Sequence, residues 1–159
     1  MNKLQEKVLS LKIQQFKDQP SFTQLYELMV DPIYRFIYLK VNNPEIAQDL
    51  TSELFLKAWQ DLTSRSEPIK RLKPYLYVVA RNLVTDYYRS SQKQKEVQIK
   101  EEIEVEVSSD EVMVTNKLDS EQIMKVLATL KESYKEVLLL KHVQELSLAE
   151  ISKIINKSS

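Results

Sequence analysis

No glycine occurs among the 159 residues, where average usage of roughly 7 % leads one to expect about eleven. Glycine supplies the positive-φ positions of tight hairpins and the close backbone approach of phosphate-binding loops. Its absence excludes a Walker loop, a glycine-rich dinucleotide fingerprint, a nucleophile elbow and an EF-hand calcium loop. Multi-stranded β architectures are disfavoured for the same reason. The fold class expected is all-α.

Cysteine is absent too, so there is no disulfide framework, thiolate zinc site or cysteine nucleophile. A reducing, cytoplasmic location fits that usage. The longest purely aliphatic run is Val137 to Leu140, against the ~20 residues needed to span a bilayer. The opening Met1-Asn2-Lys3-Leu4 lacks the apolar stretch of a signal peptide, and no membrane insertion is expected. The single histidine, His142, has no second histidine with which to build a metal site. No Ser/His/Asp set stands at informative spacing, so the expectation is a chain that is not an enzyme and holds no metal or cofactor.

The net charge of zero conceals a pattern. Residues 1–92 carry 13 Lys/Arg and 10 Asp/Glu, residues 93–120 carry 4 and 8, and residues 121–159 carry 6 and 5. A mildly basic body is followed by an acidic strip and a near-neutral C-terminal piece. Three parts are expected: a domain over 1–92, an acidic linker over 93–117 and a second small helical domain over 118–159.

Leu4, Val8, Leu11 and Phe16 recur at near-helical spacing and predict an opening helix that ends at Asp18-Gln19-Pro20, with Ser21 capping the next. Residues 22–40 continue the pattern, with a break or kink expected near Asp31 because Pro32 follows it. Asn43 and Pro44 form a cap and first turn for a helix over roughly 44–62. That helix looks two-sided, because Leu56 and Trp59 lie off its main apolar face. A polar connection over 63–72 leads to a helix from about Pro74 to Ser90, with Leu76, Val79, Ala80, Leu83, Val84 and Tyr87 as its core stripe. Residues 92–116 lose the helical period. Three short helices are expected after them, at about 118–131, 133–143 and 147–156, the last opened by the capping box Ser147-Leu148-Ala149-Glu150.

One constellation carries chemistry. Stepping about 100° per residue from Leu76, the face opposite the core collects Tyr77, Tyr88, Arg81, Thr85, Arg89 and Asn82. Arg65, Lys70, Arg71 and Lys73 add positive charge at the helix entrance. Arginines hold phosphates, and aromatic rings stack on bases at roughly 1–3 kcal/mol each, so single-stranded nucleic acid is the ligand class that fits. The plainer alternative is a solvated basic face with tyrosines at the rim of a core. The helix over 147–156, following another across a short turn, resembles the opening half of a helix-turn-helix.

Taken together, these segments resemble a bacterial RNA polymerase sigma factor of the small extracytoplasmic-function type. Phe22-Thr23-Gln24-Leu25-Tyr26 and Ala47-Gln48-Asp49-Leu50-Thr51-Ser52-Glu53-Leu54-Phe55-Leu56-Lys57-Ala58-Trp59 resemble the family's "F..LY" and "AEDL.QE.FL.AW" stretches. Pro74-Tyr75-Leu76, Val79-Ala80-Arg81-Asn82-Leu83, Asp86 and Arg89 resemble "PWL..IARN...D..R". Leu127 to Leu130, Tyr134 to Leu140 and Leu146 to Ile151 resemble region four. Three motifs in order are far more specific than any one.

The resemblance implies two small helical domains, region two and region four, joined by the acidic linker. The protein is then expected to direct promoter recognition, −10 melting and transcription initiation. By the same resemblance Asp49, Ser52, Glu53 and Leu56 dock on the clamp of the largest subunit of core RNA polymerase, with Ser52 departing from the family's glutamine. Lys70, Arg71, Lys73, Tyr77, Arg81, Asn82, Thr85, Tyr88 and Arg89 are expected on the non-template strand of the −10 element, an unstacked base being captured in the 63–73 loop. Asp86 is expected to partner an arginine. An anti-sigma factor is a further possible partner. The seven carboxylates from Glu96 to Glu111 are expected to mimic nucleic-acid charge in the polymerase cleft, so that neutralising Glu101, Glu102, Glu104 and Glu106 weakens holoenzyme assembly. The family's recognition helix for the −35 element would follow Asn156, where this sequence has Lys157-Ser158-Ser159; a truncation is the expectation. The rival reading is a sigma-like decoy that occupies the polymerase without reading promoter DNA.

Overall fold

The computed structural model describes residues 1–98, 132–143 and 146–156. All its regular elements are helical: α1 (Lys3–Phe16), α2 (Gln19–Val41), α3 (Pro44–Ser64), α4 (Leu72–Gln98), α5 (Glu132–Leu138) with a π-helical turn (Leu139–Val143), and α6 (Leu148–Asn156). The expected helix over 118–131 and most of the acidic linker lie outside the described residues.

A chain without glycine must end its helices by other means. Lys17 (φ 50°) and Asn42 (φ 52°) adopt the left-handed conformation after α1 and α2. Asparagine tolerates that region well, while lysine accepts strain of about 1–2 kcal/mol. Asn2, Asp18 and Asn43 cap the first three helices with side-chain oxygens on backbone N–H groups. Asp18, not Ser21, caps α2, and the Ser21 amide and hydroxyl both donate to its carboxylate. The capping box at α6 forms as expected: the Glu150 amide donates to Ser147 Oγ at 3.2 Å, and the Ser147 amide donates to Glu150 Oε2 at 3.1 Å.

Three expectations about the helices change. α2 runs unbroken through Pro32. Proline brings no N–H to the ladder, but Leu25, Met29, Ile33, Phe36 and Ile37 are buried on both sides of it, and that stripe holds the two arms together. α4 continues to Gln98, past the Ser90 end, because Lys, Gln and Glu sustain a helix without an apolar stripe. α1 buries a different face from the one its periodicity indicated. Leu4, Val8, Leu11 and Phe16 are exposed, whereas Glu6, Leu9, Ser10 and Ile13 are buried.

The core is continuous from α1 to α6. Leu54, Phe55, Ala58 and Leu62 of α3 and Leu72, Leu76, Ala80, Leu83 and Val84 of α4 belong to one buried cluster with the α2 stripe. Phe22 meets Trp59 edge-on at 5.1 Å, and Tyr26 meets Phe55 at 4.8 Å, so Trp59 packs against the body rather than away from it. Leu139, Leu140, Leu146, Ile151 and Ile154 of the C-terminal helices are buried in the same cluster. The C-terminal segment thus closes over α2 and α4.

Candidate nucleic-acid and polymerase interfaces

α4 carries the candidate strand face, and packing decides which of its residues are available. Asn82, Thr85, Tyr88 and Arg89 are exposed on its outer side. Thr85 Oγ1 donates to the Arg81 carbonyl at 2.9 Å, and the Tyr88 hydroxyl donates to the Lys40 carbonyl. The Tyr87 and Tyr88 rings lie 5.4 Å apart, tilted by 58°. Lys70 is exposed in the connection before α4, while Arg71 and Lys73 are half-buried.

Tyr77 does not belong to this face. It is fully buried, and its ring meets Phe36 edge-on at 5.3 Å. Removal of its hydroxyl from water raises its pKa. α4 is wedged between α2 and α3, so its buried arc is wider than the single stripe through Leu76 and reaches Tyr77. Asp86 is also placed differently from the expectation: it is exposed and forms no ion pair among the described residues.

Two of the expected phosphate-binding arginines are engaged by the chain itself. Arg81 Nε lies 2.5 Å from Glu136 Oε1, and one Arg81 amino group donates to the Ile155 carbonyl at 3.0 Å. Arg71 Nε lies 3.0 Å from Glu6 Oε2, and Arg71 also pairs with Glu150. Burial opposes the charge on Arg71, but the hydrogen bond and charge of Glu6, together with those of Glu150, raise its pKa overall. Burial likewise opposes the charge on Glu150. The Ser147 amide and the Arg71 guanidinium outweigh it and hold that carboxyl below its usual range.

Glu136 is the centre of the closed arrangement. It is only 3 % exposed and also accepts from Lys40 Nζ at 3.0 Å, and Lys40 lies over the Phe36 ring. Lys40 and Glu136 stand 96 residues apart, and no local pattern in the sequence marks either.

A second surface lies on α3. Asp49, Ser52, Glu53 and Leu56 are all exposed, and their spacing of three and four residues places them in one stripe. Leu56 is 60 % exposed, an unusual setting for leucine mid-helix, and Glu53 pairs with Lys57 at 3.3 Å. All four expected residues share one surface, away from the strand face in sequence and in helix. Among the described residues no three His, Cys, Asp or Glu side chains group to hold a metal ion, and no helix is long and apolar enough to cross a membrane.

Known proteins resemble both the N-terminal and the C-terminal part of the chain. Residues 25–94 match the family model Sigma-70 region 2, and residues 120–159 match Sigma-70, region 4. The ECF RNA polymerase sigma factor BldN of Streptomyces coelicolor is 32 % identical over 141 residues, covering 87 % of this chain and 53 % of that protein. The chain thus spans about half the length of that relative. The ECF RNA polymerase sigma factor SigM of Bacillus subtilis is 28 % identical over 137 residues, covering 85 % of this chain and 82 % of the relative. The fold is shared with CnrH, solved in complex with the cytosolic domain of CnrY (TM-score 0.71, 16 % identity, 96 % of this chain and 83 % of that one). It is shared also with the sigma factor RpoE of Bartonella quintana, solved with the anti-sigma factor NepR (TM-score 0.62, 23 % identity, 85 % and 82 %). With both sigma regions matched in order over more than half of its length, the chain belongs to the sigma-70 family, among the sigma factors of the extracytoplasmic-function type.

Proposed function

We propose that this protein directs core RNA polymerase to promoters and holds the melted −10 strand during initiation. The observation that carries this reading is the outer face of α4, where Asn82, Thr85, Tyr88 and Arg89 are all exposed beside one another. An arginine, an amide, a hydroxyl and an aromatic ring are the groups that hold a phosphate backbone and stack on an unpaired base. Lys70, Arg71, Lys73 and Arg81 supplement that face. Arg71 and Arg81 do so by exchanging Glu150 and Glu136 for phosphate.

The separate α3 stripe of Asp49, Ser52, Glu53 and Leu56 is the docking surface for the clamp of the largest polymerase subunit. One surface therefore holds the enzyme and the other the DNA. Residues 1–92 form the region-two unit, 93–117 a charged linker through the polymerase, and 118–159 the region-four unit. In the family pattern the groove-reading helix follows the one at Leu148–Asn156, so −35 contacts are not assigned to residues 132–156. The anti-sigma complexes of the two structural relatives support an anti-sigma partner here, and a factor that works on chromosomal promoters acts in the cytoplasm.

The test is a gel shift of the protein with core polymerase on a fork whose −10 region is already single-stranded. Asn82→Ala and Arg89→Ala are expected to weaken the shift while leaving polymerase binding intact. If both variants bind the fork as the unaltered protein does, the rival reading of a polymerase-binding decoy replaces this one. The engagement of Arg71 and Arg81 by acidic residues is the observation that favours that rival.

A further inference from the structure

The connection before α4 has no regular structure of its own, yet its backbone is fastened at both ends. On one side Asp61 accepts from the Tyr75 hydroxyl at 2.7 Å and from Arg65 at 3.1 Å, joining the end of α3 to the start of α4. On the other side stands α1. Its residues Glu6, Ser10 and Gln14 are four apart and form one polar stripe along the helix.

Each member of that stripe reaches the connection. The Gln14 side-chain amide reads both sides of Ile69: Oε1 accepts from its N–H at 2.7 Å, and Nε2 donates to its carbonyl at 2.9 Å. Ser10 Oγ donates to the same carbonyl. Glu6, only 3 % exposed, accepts from the Lys73 amide at 2.8 Å and from Arg71 Nε at 3.0 Å. A carboxylate there also suits the positive end of α4. Glu6 and Ser10 are buried and Gln14 is partly so. Burying such groups is costly unless they are paired, and here the partners are the backbone and side chains of residues 69–73.

We infer that α1 is a positioning element of the strand site, with Gln14 as its central residue: it holds residues 69–73 in the shape that captures an unpaired base. This rests on the −10 reading above. Gln14 and Ile69 are paired as neighbouring strands are, N–H to oxygen in both directions, which fixes the peptide's orientation as well as its position. Ile69 precedes Lys70 and Arg71, so its peptide sets the direction in which those two side chains leave the chain.

The experiment uses holoenzyme on pre-melted forks that carry each of the four bases at the captured position. Gln14→Leu removes both bonds. Gln14→Glu keeps the acceptor for the Ile69 N–H, loses the donor to its carbonyl, and guards against a packing artefact. Gln14→Leu is expected to lose about tenfold in fork affinity, equivalent to about 1.4 kcal/mol, and its preference among the four bases should collapse. Gln14→Glu should fall between it and the parent, and affinity for core polymerase alone should stay at the parent's value. Gln14→Leu holoenzyme that keeps the parent's base preference overturns the inference. Should the parent bind the fork without base preference, base capture by residues 69–73 fails and the inference with it. Should the parent not bind the fork at all, the −10 reading fails instead, and amide exchange at Ile69 and Lys70 decides: faster exchange in Gln14→Leu supports the clamp, and unchanged exchange overturns it.

Discussion

Arg81 Nε and Glu136 Oε1 meet at 2.5 Å, and the carboxylate is almost entirely removed from solvent. The same oxygen accepts from Lys40 at 3.0 Å, so one buried anion joins α2, α4 and α5. Phosphate oxygens and this carboxylate are chemically similar partners for a guanidinium. On the proposed −10 reading, the strand would therefore compete with the C-terminal helices for Arg81.

Glu136→Gln should shift that competition. The amide keeps an acceptor but no charge, and breaking a buried ion pair by removing one partner typically costs about 3–5 kcal/mol. The C-terminal helices should release α4. The free protein should then bind a fluorescent single-stranded −10 oligonucleotide several-fold more tightly at low salt. Affinity equal to or below the parent's would show that Glu136 does not gate the arginine.

Arg89 and Tyr77 sit on the same helix and should respond in opposite ways. Arg89 is exposed, so Arg89→Ala should leave stability within about 0.5 kcal/mol. If Arg89 meets one phosphate, the variant should also reduce the salt slope of single-strand binding by about 0.7. Tyr77 fills the core against Phe36, so Tyr77→Ala should destabilise by about 3–5 kcal/mol, as large aromatic truncations do. Urea titration separates the two, and an Arg89→Ala protein that melts early would remove Arg89 from the strand face.

These two residues also mark what the sequence made legible. The existence of the helices of residues 1–98 and the caps at Asn43 and Ser147 follow from local pattern, because spacing and capping chemistry are properties of neighbouring residues. The α3 stripe of Asp49, Ser52, Glu53 and Leu56 comes instead from the family resemblance. Tyr77 is expected on the outer face but lies in the core, because a helix packed on two sides has a buried arc wider than one stripe. Glu6, Ser10 and Gln14 did form a stripe at helical spacing. A polar stripe gives no local sign of burial, whereas the apolar spacing of Leu4, Val8 and Leu11 does, and those three are exposed. Lys40–Glu136 and Arg71–Glu150 join residues far apart in the chain. Only the packing of α5 and α6 on α2 and α4 brings them together.

The α3 stripe makes a prediction that needs no DNA. Leu56 is exposed and contributes little to the fold, so Leu56→Asp should leave the melting temperature within a few degrees while weakening polymerase affinity about tenfold or more, as truncation at an interface centre does. Ser52→Gln restores the longer side chain of the family pattern and should tighten binding. Surface plasmon resonance against immobilised core polymerase measures both. A Leu56→Asp protein that binds as the parent does would move the docking surface elsewhere.

Acid should loosen the contact between Arg71 and α6. Glu150 is held below its usual carboxyl range in the closed fold, with burial opposed by the Ser147 amide and Arg71. A carboxylate whose folded pKa is depressed stabilises the fold above its unfolded value, near about 4.3. That contribution disappears as pH falls through the folded value. Protonating Glu150 removes both its charge on Arg71 and its acceptance from Ser147, and for a partly exposed pair the loss amounts to at most about 1 kcal/mol. Other carboxylates titrate in the same range, so the informative quantity is the stability of the parent minus that of Glu150→Gln. The difference should be positive and flat from pH 7 to about 5 and should shrink toward zero below about 4. A difference that stays constant into that acid range would mean that Glu150 and Arg71 lie beside one another without stabilising the closed form.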